Sequence, residues 1–127
     1  MIAIGVGASS RAREDDLASA IEVVRREVNG GDLIATFENA MFVTSLMTVA
    51  AARSLAFRPV ALEMLRQRSG ECISRSERSL ERFGVASIAE AAALAAAGPC
   101  SRLVMPRRII GQIAVAAAQS DVKDIRQ

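Results

Sequence analysis

The chain contains no histidine. That removes the Ser-His-Asp and Cys-His nucleophilic triads and the usual zinc ligand sets in one step. Tryptophan and tyrosine are also absent, and four phenylalanines leave aromatics at 3%. Single-stranded nucleic-acid platforms stack bases on aromatic faces, so no nucleic-acid partner is expected. Two cysteines occur, Cys72 and Cys100, at a spacing that fits no metal site. They could pair, but reduced thiols are the expectation because nothing points to export. The opening Met1-Ile2-Ala3-Ile4-Gly5 has neither the basic region nor the long apolar run of a signal peptide. The longest apolar stretch, Ala40 to Ala56, is broken by Thr44, Ser45, Thr48, Arg53 and Ser54. It is too short and too polar for a membrane span. A cytoplasmic protein with no membrane, metal or cofactor is therefore expected. Lysine is nearly missing: of 16 basic residues, Lys123 alone is not arginine, and the net charge is only +2. Arginine suits a bidentate grip on carboxylate or phosphate. An anionic ligand would explain its use, and so would a biased composition.

What is present is apolar. A hydrophobic fraction of 51% over 127 residues supports one domain with one core. The domain is expected over 1–119, with a polar tail over 120–127. The most sharply specified stretch is Gly84 to Gly98. Ser87 and Glu90 stand three apart ahead of an alanine run, the spacing of a capping box. The serine oxygen accepts from the third helical amide, and the glutamate reaches back to the amide of Ser87. Gly98 tolerates a left-handed conformation and Pro99 bars continuation. A helix over about Ile88 to Ala97 follows. It is apolar all round, hence buried, and its alanines allow close approach to a sheet.

The rest of the chain alternates strands and helices. Ile2 to Val6 reads as a buried strand ended by a tight turn at Gly5-Val6-Gly7. Leu17, Ile21, Val24 and Val28 share one face of a helix over about Arg11 to Val28, capped by Ser9 or Ser10. Asp32 to Phe37 is a second strand, and a helix over about Ala40 to Phe57 follows. Arg58 to Ala61 is a weak strand and Leu62 to Arg68 a short helix. Ser69 to Ser76 reads as a mobile loop and Ser79 to Phe83 as one helical turn. Ser101 to Met105 and Ile109 to Ala118 form an antiparallel pair about a turn at Pro106-Arg107-Arg108. The whole is a three-layer α/β/α domain with a mixed, mostly parallel sheet of about five strands.

Candidate sites follow from the strand ends. Gly5-Val6-Gly7-Ala8-Ser9-Ser10, between a strand and a helix start, offers free amides to an anion, with Ser9, Ser10 and Arg11 beside them. It is not a full dinucleotide fingerprint, since Ser10 occupies the place of the third glycine and no acidic residue ends the second strand. A ligand-free tight turn is the alternative. Thr36, Glu38 and Asn39 follow the second strand, where open α/β sheets bind ligands. Glu38 or Asn39 could equally cap the next helix. Arg107 and Arg108 form a second anion candidate in the final turn. Ser74, Arg75, Ser76 and Arg78 make a polar cluster that could be a lid or an ordinary exposed loop. Ser87 joins the site if the alanine helix starts at the cleft.

Four blocks together resemble the CobE and CbiG C-terminal domain family of cobalamin biosynthesis. They are the first strand with Gly5-Val6-Gly7; Leu33-Ile34-Ala35-Thr36; Gly84-Val85-Ala86-Ser87-Ile88-Ala89-Glu90-Ala91-Ala92-Ala93-Leu94 with Ala97-Gly98; and Gly111-Gln112-Ile113-Ala114-Val115-Ala116. The third block is the specific one. Family members commonly carry Cys-Arg-Arg or Cys-Arg-Lys where this chain has Ala8, Ser9 and Ser10. Family lysines are replaced here at Asn39-Ala40 and at Pro106-Arg107, and a family threonine at Gln112. The resemblance implies a part in building the corrin ring, with a precorrin or corrinoid as the small-molecule partner and other pathway enzymes as possible protein partners. It implies either a binder or carrier in the aerobic pathway or a hydrolase related to cobalt-precorrin-5A hydrolase, which opens a ring-A lactone and releases acetaldehyde. A hydrolase would draw on Glu38 or a serine hydroxyl. A nucleotide-binding or purely structural subunit is the remaining alternative. With no histidine and no evident carboxylate pair to act as general base, the residues fit a binder better.

Overall fold

The computed structural model describes residues 1–9 and 12–120. Among the described residues five strands and five α-helices follow in the order β1 (Ile2–Ala8), α1 (Glu14–Val28), β2 (Leu33–Phe37), α2 (Val43–Ala52), β3 (Ala56–Val60), α3 (Leu62–Arg68), α4 (Glu77–Phe83), α5 (Ile88–Ala97), β4 (Ser101–Ile110) and β5 (Ile113–Ser120). The strands form one sheet in the order β3-β2-β1-β5-β4. β1, β2 and β3 are mutually parallel, and β5 lies antiparallel to both β1 and β4. Only β5 runs against the others, so the three-layer, mixed, mostly parallel architecture stands.

Strand alternation sorts the core into two unlike layers. Ile4, Val6, Ile34, Ile113 and Val115 point to one face and meet Leu17, Ile21 and Val24 of α1 and Leu46 and Val49 of α2. Ala3, Ala35 and Ala118 point to the other face and meet the alanines of α5 together with Leu65 of α3. Small residues on both sides of that second interface let the backbones close in. At Gly5 the approach is tightest: a Cβ there would lie 1.9 Å from the carbonyl oxygen of Ala89 and 2.7 Å from the amide nitrogen of Ala93. Gly5 is therefore a packing glycine beneath α5, because no side chain fits between strand and helix.

Several boundaries differ from the sequence reading. β1 does not turn at Gly5-Val6-Gly7 but runs on through Ala8. Its central place in the sheet holds Gly7 opposite Ala114 and Ala8 opposite Ile113. α1 begins later than expected, at Glu14, and its N-cap is Arg13, whose side chain makes no cap bond, so neither Ser9 nor Ser10 is the cap residue. α2 and β3 are separate elements within one apolar run. The chain leaves α2 through Ser54 in the left-handed region (φ 56°), with the Leu55 amide donating to the Ala50 carbonyl. α5 has the expected bounds. Its closing Gly98 has φ 112° and ψ 171°, an extended positive-φ conformation open to glycine rather than the left-handed helical one.

The expected turn at Pro106-Arg107-Arg108 lies inside β4. Met105 pairs with Ala117 and Arg108 with Val115, so Pro106 and Arg107 face the single residue Ala116. That is a β-bulge. Proline is admissible there because β4 is an edge strand with no ladder bond to lose on its outer side. The true hairpin turn is Gly111-Gln112. Ser120 closes β5, its amide donating to the Met1 carbonyl, and the remainder of the polar tail lies outside the described residues. Among the described residues no helix is long and apolar enough to cross a membrane.

Candidate functional site

The carboxyl ends of the parallel strands β1 and β2 open onto a cleft of about 400 Å³. Such strand ends are where open α/β sheets take their ligands, and the size lies in the range of small-molecule pockets, about 300–1,000 Å³. Gly7, Ala8 and Ser9 form the β1 side, and Thr36 and Phe37 the β2 side. α4 and the first residue of α5 face them with Arg78, Arg82, Phe83 and Ile88. A second lobe of about 190 Å³ shares Gly7, Ala8, Arg78, Arg82, Phe83 and Ile88 with the first. Ser76, Ser79, Ser87 and Arg107 complete it.

The floor is fixed by two contacts at the ends of β2. Thr36 is fully buried, and its hydroxyl donates to the Val6 carbonyl at 2.7 Å, lacing β2 to β1. Thr36 thus lines the cleft with its proton already committed to the sheet. Phe37 meets Phe83 with ring centroids 5.5 Å apart and planes at 60°, which seats the end of α4 over the end of β2. The Arg82 guanidinium lies 5.0 Å from the Phe83 ring centroid. This cation–π contact keeps the charge over an apolar surface.

The opposite wall depends on Glu90. Half of the expected capping box is present: the Glu90 amide donates to the Ser87 hydroxyl at 3.2 Å. The carboxylate, however, does not return to Ser87. It is fully buried, and both of its oxygens accept hydrogen bonds. Oε1 accepts from the amides of Ile73 (2.8 Å) and Ser74 (2.9 Å); Oε2 accepts from the Ser74 hydroxyl (2.9 Å) and the Arg107 amide (2.7 Å). One side chain therefore joins α5, the segment leading into α4, and the β4 bulge. The bulge is what frees the Arg107 amide from the ladder to reach Glu90. The segment from Ser69 to Ser76, expected as a mobile loop, is thereby anchored. It opens with a 3-10 turn over Ser69–Glu71, and the Ser69 hydroxyl accepts from the Ala86 amide at 2.9 Å.

The sequence candidates divide accordingly. Gly7, Ser9, Thr36 and Asn39 line the larger lobe; Gly7, Ser87 and Arg107 line the smaller one. Gly5 lies beneath α5 instead of at the cleft, because the Ala89 and Ala93 backbone occupies the space above it. Glu38 is exposed, and neither lobe includes it. Its amide donates to the Val60 carbonyl at 2.9 Å, which turns the residue away past the end of β3. Ser10 and Arg11 lie outside the described residues. The reading from sequence missed Arg82 altogether and gave Arg78 only as part of a loop cluster. Their spacing of four along a short helix was the available signal, since it places both on one face.

Three guanidinium groups, Arg78, Arg82 and Arg107, thus share walls that include no Asp, Glu, His or Cys. Among the described residues none of the three pairs with a carboxylate, whereas Arg53 bonds Glu22 at 2.6 Å and Arg68 bonds Glu71 at 2.6 Å. Those two glutamates are held below the usual carboxylate range, chiefly by hydrogen bonds from Arg53 and Arg68 respectively. The Cys72 thiol is pushed up to about 11 by burial, with the Glu90 carboxylate adding to the effect. Cys72 and Cys100 are both free. Among the described residues no three potential metal ligands gather. The cleft can therefore hold an anionic, partly apolar molecule, and it offers hydroxyl groups but no adjoining base.

Comparison with known proteins agrees with this fold. Residues 2–118 match the family described as cobalamin synthesis G C-terminus. The crystal structure of the cobalamin biosynthesis protein chiG from Agrobacterium tumefaciens is similar at 34% identity, with a TM-score of 0.77, 95% of this chain and 99% of that chain covered. CobE, a protein from the cobalamin (vitamin B12) biosynthetic pathway, is similar in fold at 23% identity, with a TM-score of 0.83, 93% of this chain and 89% of that one covered. A cobalamin biosynthesis protein G homologue from Sulfolobus solfataricus matches at 22% identity and a TM-score of 0.65, covering 94% of this chain but 36% of that longer one. Comparison with curated proteins finds no match. With the family spanning β1 to β5, the chain belongs to the CbiG C-terminal family of cobalamin-biosynthesis proteins.

Proposed function

We propose that this domain binds a precorrin or corrin intermediate in the two-lobed cleft and holds it for the next enzyme of the pathway, in the cytoplasm. One observation carries the reading. Among the described residues, an apolar cleft at the strand ends is walled by three arginines without carboxylate partners and by no group able to act as a base. A corrin acid is a broad apolar macrocycle fringed with carboxylates. Phenylalanine and isoleucine surface suits its ring, and guanidinium groups suit its fringe. The hydrolase alternative needs an activated water or nucleophile. Glu38 stands outside both lobes, so a carrier is favoured over an enzyme that relies on it.

Titration with hydrogenobyrinic acid, followed by visible absorption and gel filtration, tests the proposal. A spectral shift with co-elution at one equivalent is expected. No shift and no co-elution would overturn it. Gly7 lines both lobes and a Cβ on it would sit in ordinary contact with Ile88 at 3.5 Å. Gly7→Leu should therefore fill the cleft and weaken binding by at least about tenfold, or about 1.4 kcal/mol. Circular dichroism would check that the variant still folds.

A further inference from the structure

Arg78 and Arg82 line both lobes of the cleft, and the smaller lobe adds a third arginine, Arg107. Arg107 enters it from the β4 bulge, and Arg78 and Arg82 enter it from one face of α4. Ser76, Ser79 and Ser87 surround them. Phe37, Met41 and Phe42 line the larger lobe alone, whereas Phe83 and Ile88 line both. Arg107 and α4 lie far apart in sequence, and the Glu90 carboxylate fixes both sides, through the Arg107 amide and through Ile73 and Ser74 ahead of α4. Glu90 thus fixes the backbone from which the guanidinium groups project, so only their side chains are left for the ligand to order.

We propose that the smaller lobe is a polycarboxylate subsite in which Arg78, Arg82 and Arg107 recognise the ionised carboxylates of the ligand and reject the same ring once those groups are neutralised. The proposal rests on the reading that the cleft holds a corrin acid, and it assigns the charge selectivity of that cleft to three residues. A carboxylate accepts two N–H bonds from one guanidinium, whereas a primary amide offers one acceptor and an N–H₂ group that meets donors. Discrimination follows from the unpaired donors that an amidated ligand leaves behind.

Isothermal titration with three probes tests this: hydrogenobyrinic acid, the same ring with its carboxylates converted to primary amides, and mellitic acid, which has six carboxylates and no macrocycle. The wild-type protein should bind the acid at least about tenfold tighter than the amide, with affinity falling as salt rises. Arg78→Gln, Arg82→Gln and Arg107→Gln should each weaken the acid by about tenfold and leave the amide unchanged. Mellitic acid should bind the wild-type protein and lose its binding in the triple variant. Equal affinity for acid and amide, or acid binding undiminished in the triple variant, would overturn the subsite while leaving the cleft as the ligand site. Mellitic acid binding without any binding of the corrin acid would uphold the subsite and overturn the corrin reading. Binding of neither would overturn both. All three arginines are partly or fully exposed, so their substitution leaves the fold intact for the comparison.

Discussion

Glu90 does two jobs, one with its backbone and one with its side chain, and substitution separates them. Its own amide completes the cap of α5 through Ser87, while its carboxylate satisfies three amides and a hydroxyl from two distant segments. Glu90→Ala leaves those buried donors without acceptors, and urea denaturation should show a loss of about 3 kcal/mol. Glu90→Gln keeps one acceptor oxygen but turns an amide toward donors, and should cost about 2 kcal/mol. A loss under about 0.5 kcal/mol for either variant would contradict the network, since that is the range of ordinary surface substitutions. The second residue-scale prediction concerns the thiols. Cys72 sits beside the Ser87 carbonyl with its pKa raised to about 11, and Cys100 is exposed. A raised thiol pKa favours the neutral form in the folded state. Its contribution to stability is therefore full below the ordinary value near 9.0 and is lost as pH rises towards 11. At pH 8, a thiol reagent should label Cys100 quickly and Cys72 slowly, with Cys72 catching up on denaturation. Equal rates in the native protein would refute this.

Elements were legible in the sequence where local chemistry decided them. The stripe Leu17, Ile21, Val24 marked α1, and the first three of its expected positions are buried. Ser87 and Gly98 marked both ends of α5, and α3 matches its expected span. Elements were illegible where tertiary context decided them. Pro106 reads as a turn former, yet an edge strand accommodates it in a bulge. The two glycines of β1 read as a turn, yet the strand runs through both, and Gly5 serves the close approach of α5. The run from Ala40 to Phe57 reads as one helix, because both a buried helix and the following strand are apolar. Gly5→Ala tests the packing argument at this scale. The added methyl meets backbone rather than a mobile side chain, so strand and helix must separate, and stability should fall by about 3 kcal/mol. Near-neutral behaviour on denaturation would show that α5 sits further from β1 than described.

At the scale of the molecule, the cleft is assembled from segments that sequence order keeps apart: the end of β1, the end of β2, α4, the start of α5 and the bulge of β4. Gly7, Ser9, Thr36 and Asn39 were candidates from the rule that strand ends bind ligands, Arg107 from an expected turn and Ser87 from the start of the alanine helix, and all six line the cleft. Arg82 was not found, because its approach to the cleft depends on Phe83 packing on Phe37 and on Glu90 holding the segment before α4. Glu38 was chosen for its chemistry and lies outside the cleft for a reason of register, its amide being bound to the end of β3. A ligand in this cleft lies between the strand ends and α4. Amide chemical-shift mapping of the ¹⁵N-labelled protein with hydrogenobyrinic acid tests that claim most directly. The account predicts that the amides of Gly7, Ala8, Ser9, Phe83, Ile88 and Arg107 shift together at one equivalent while those of α1 and α3 stay in place. Shifts confined to α1 or α3, with the strand-end amides unmoved, would contradict it.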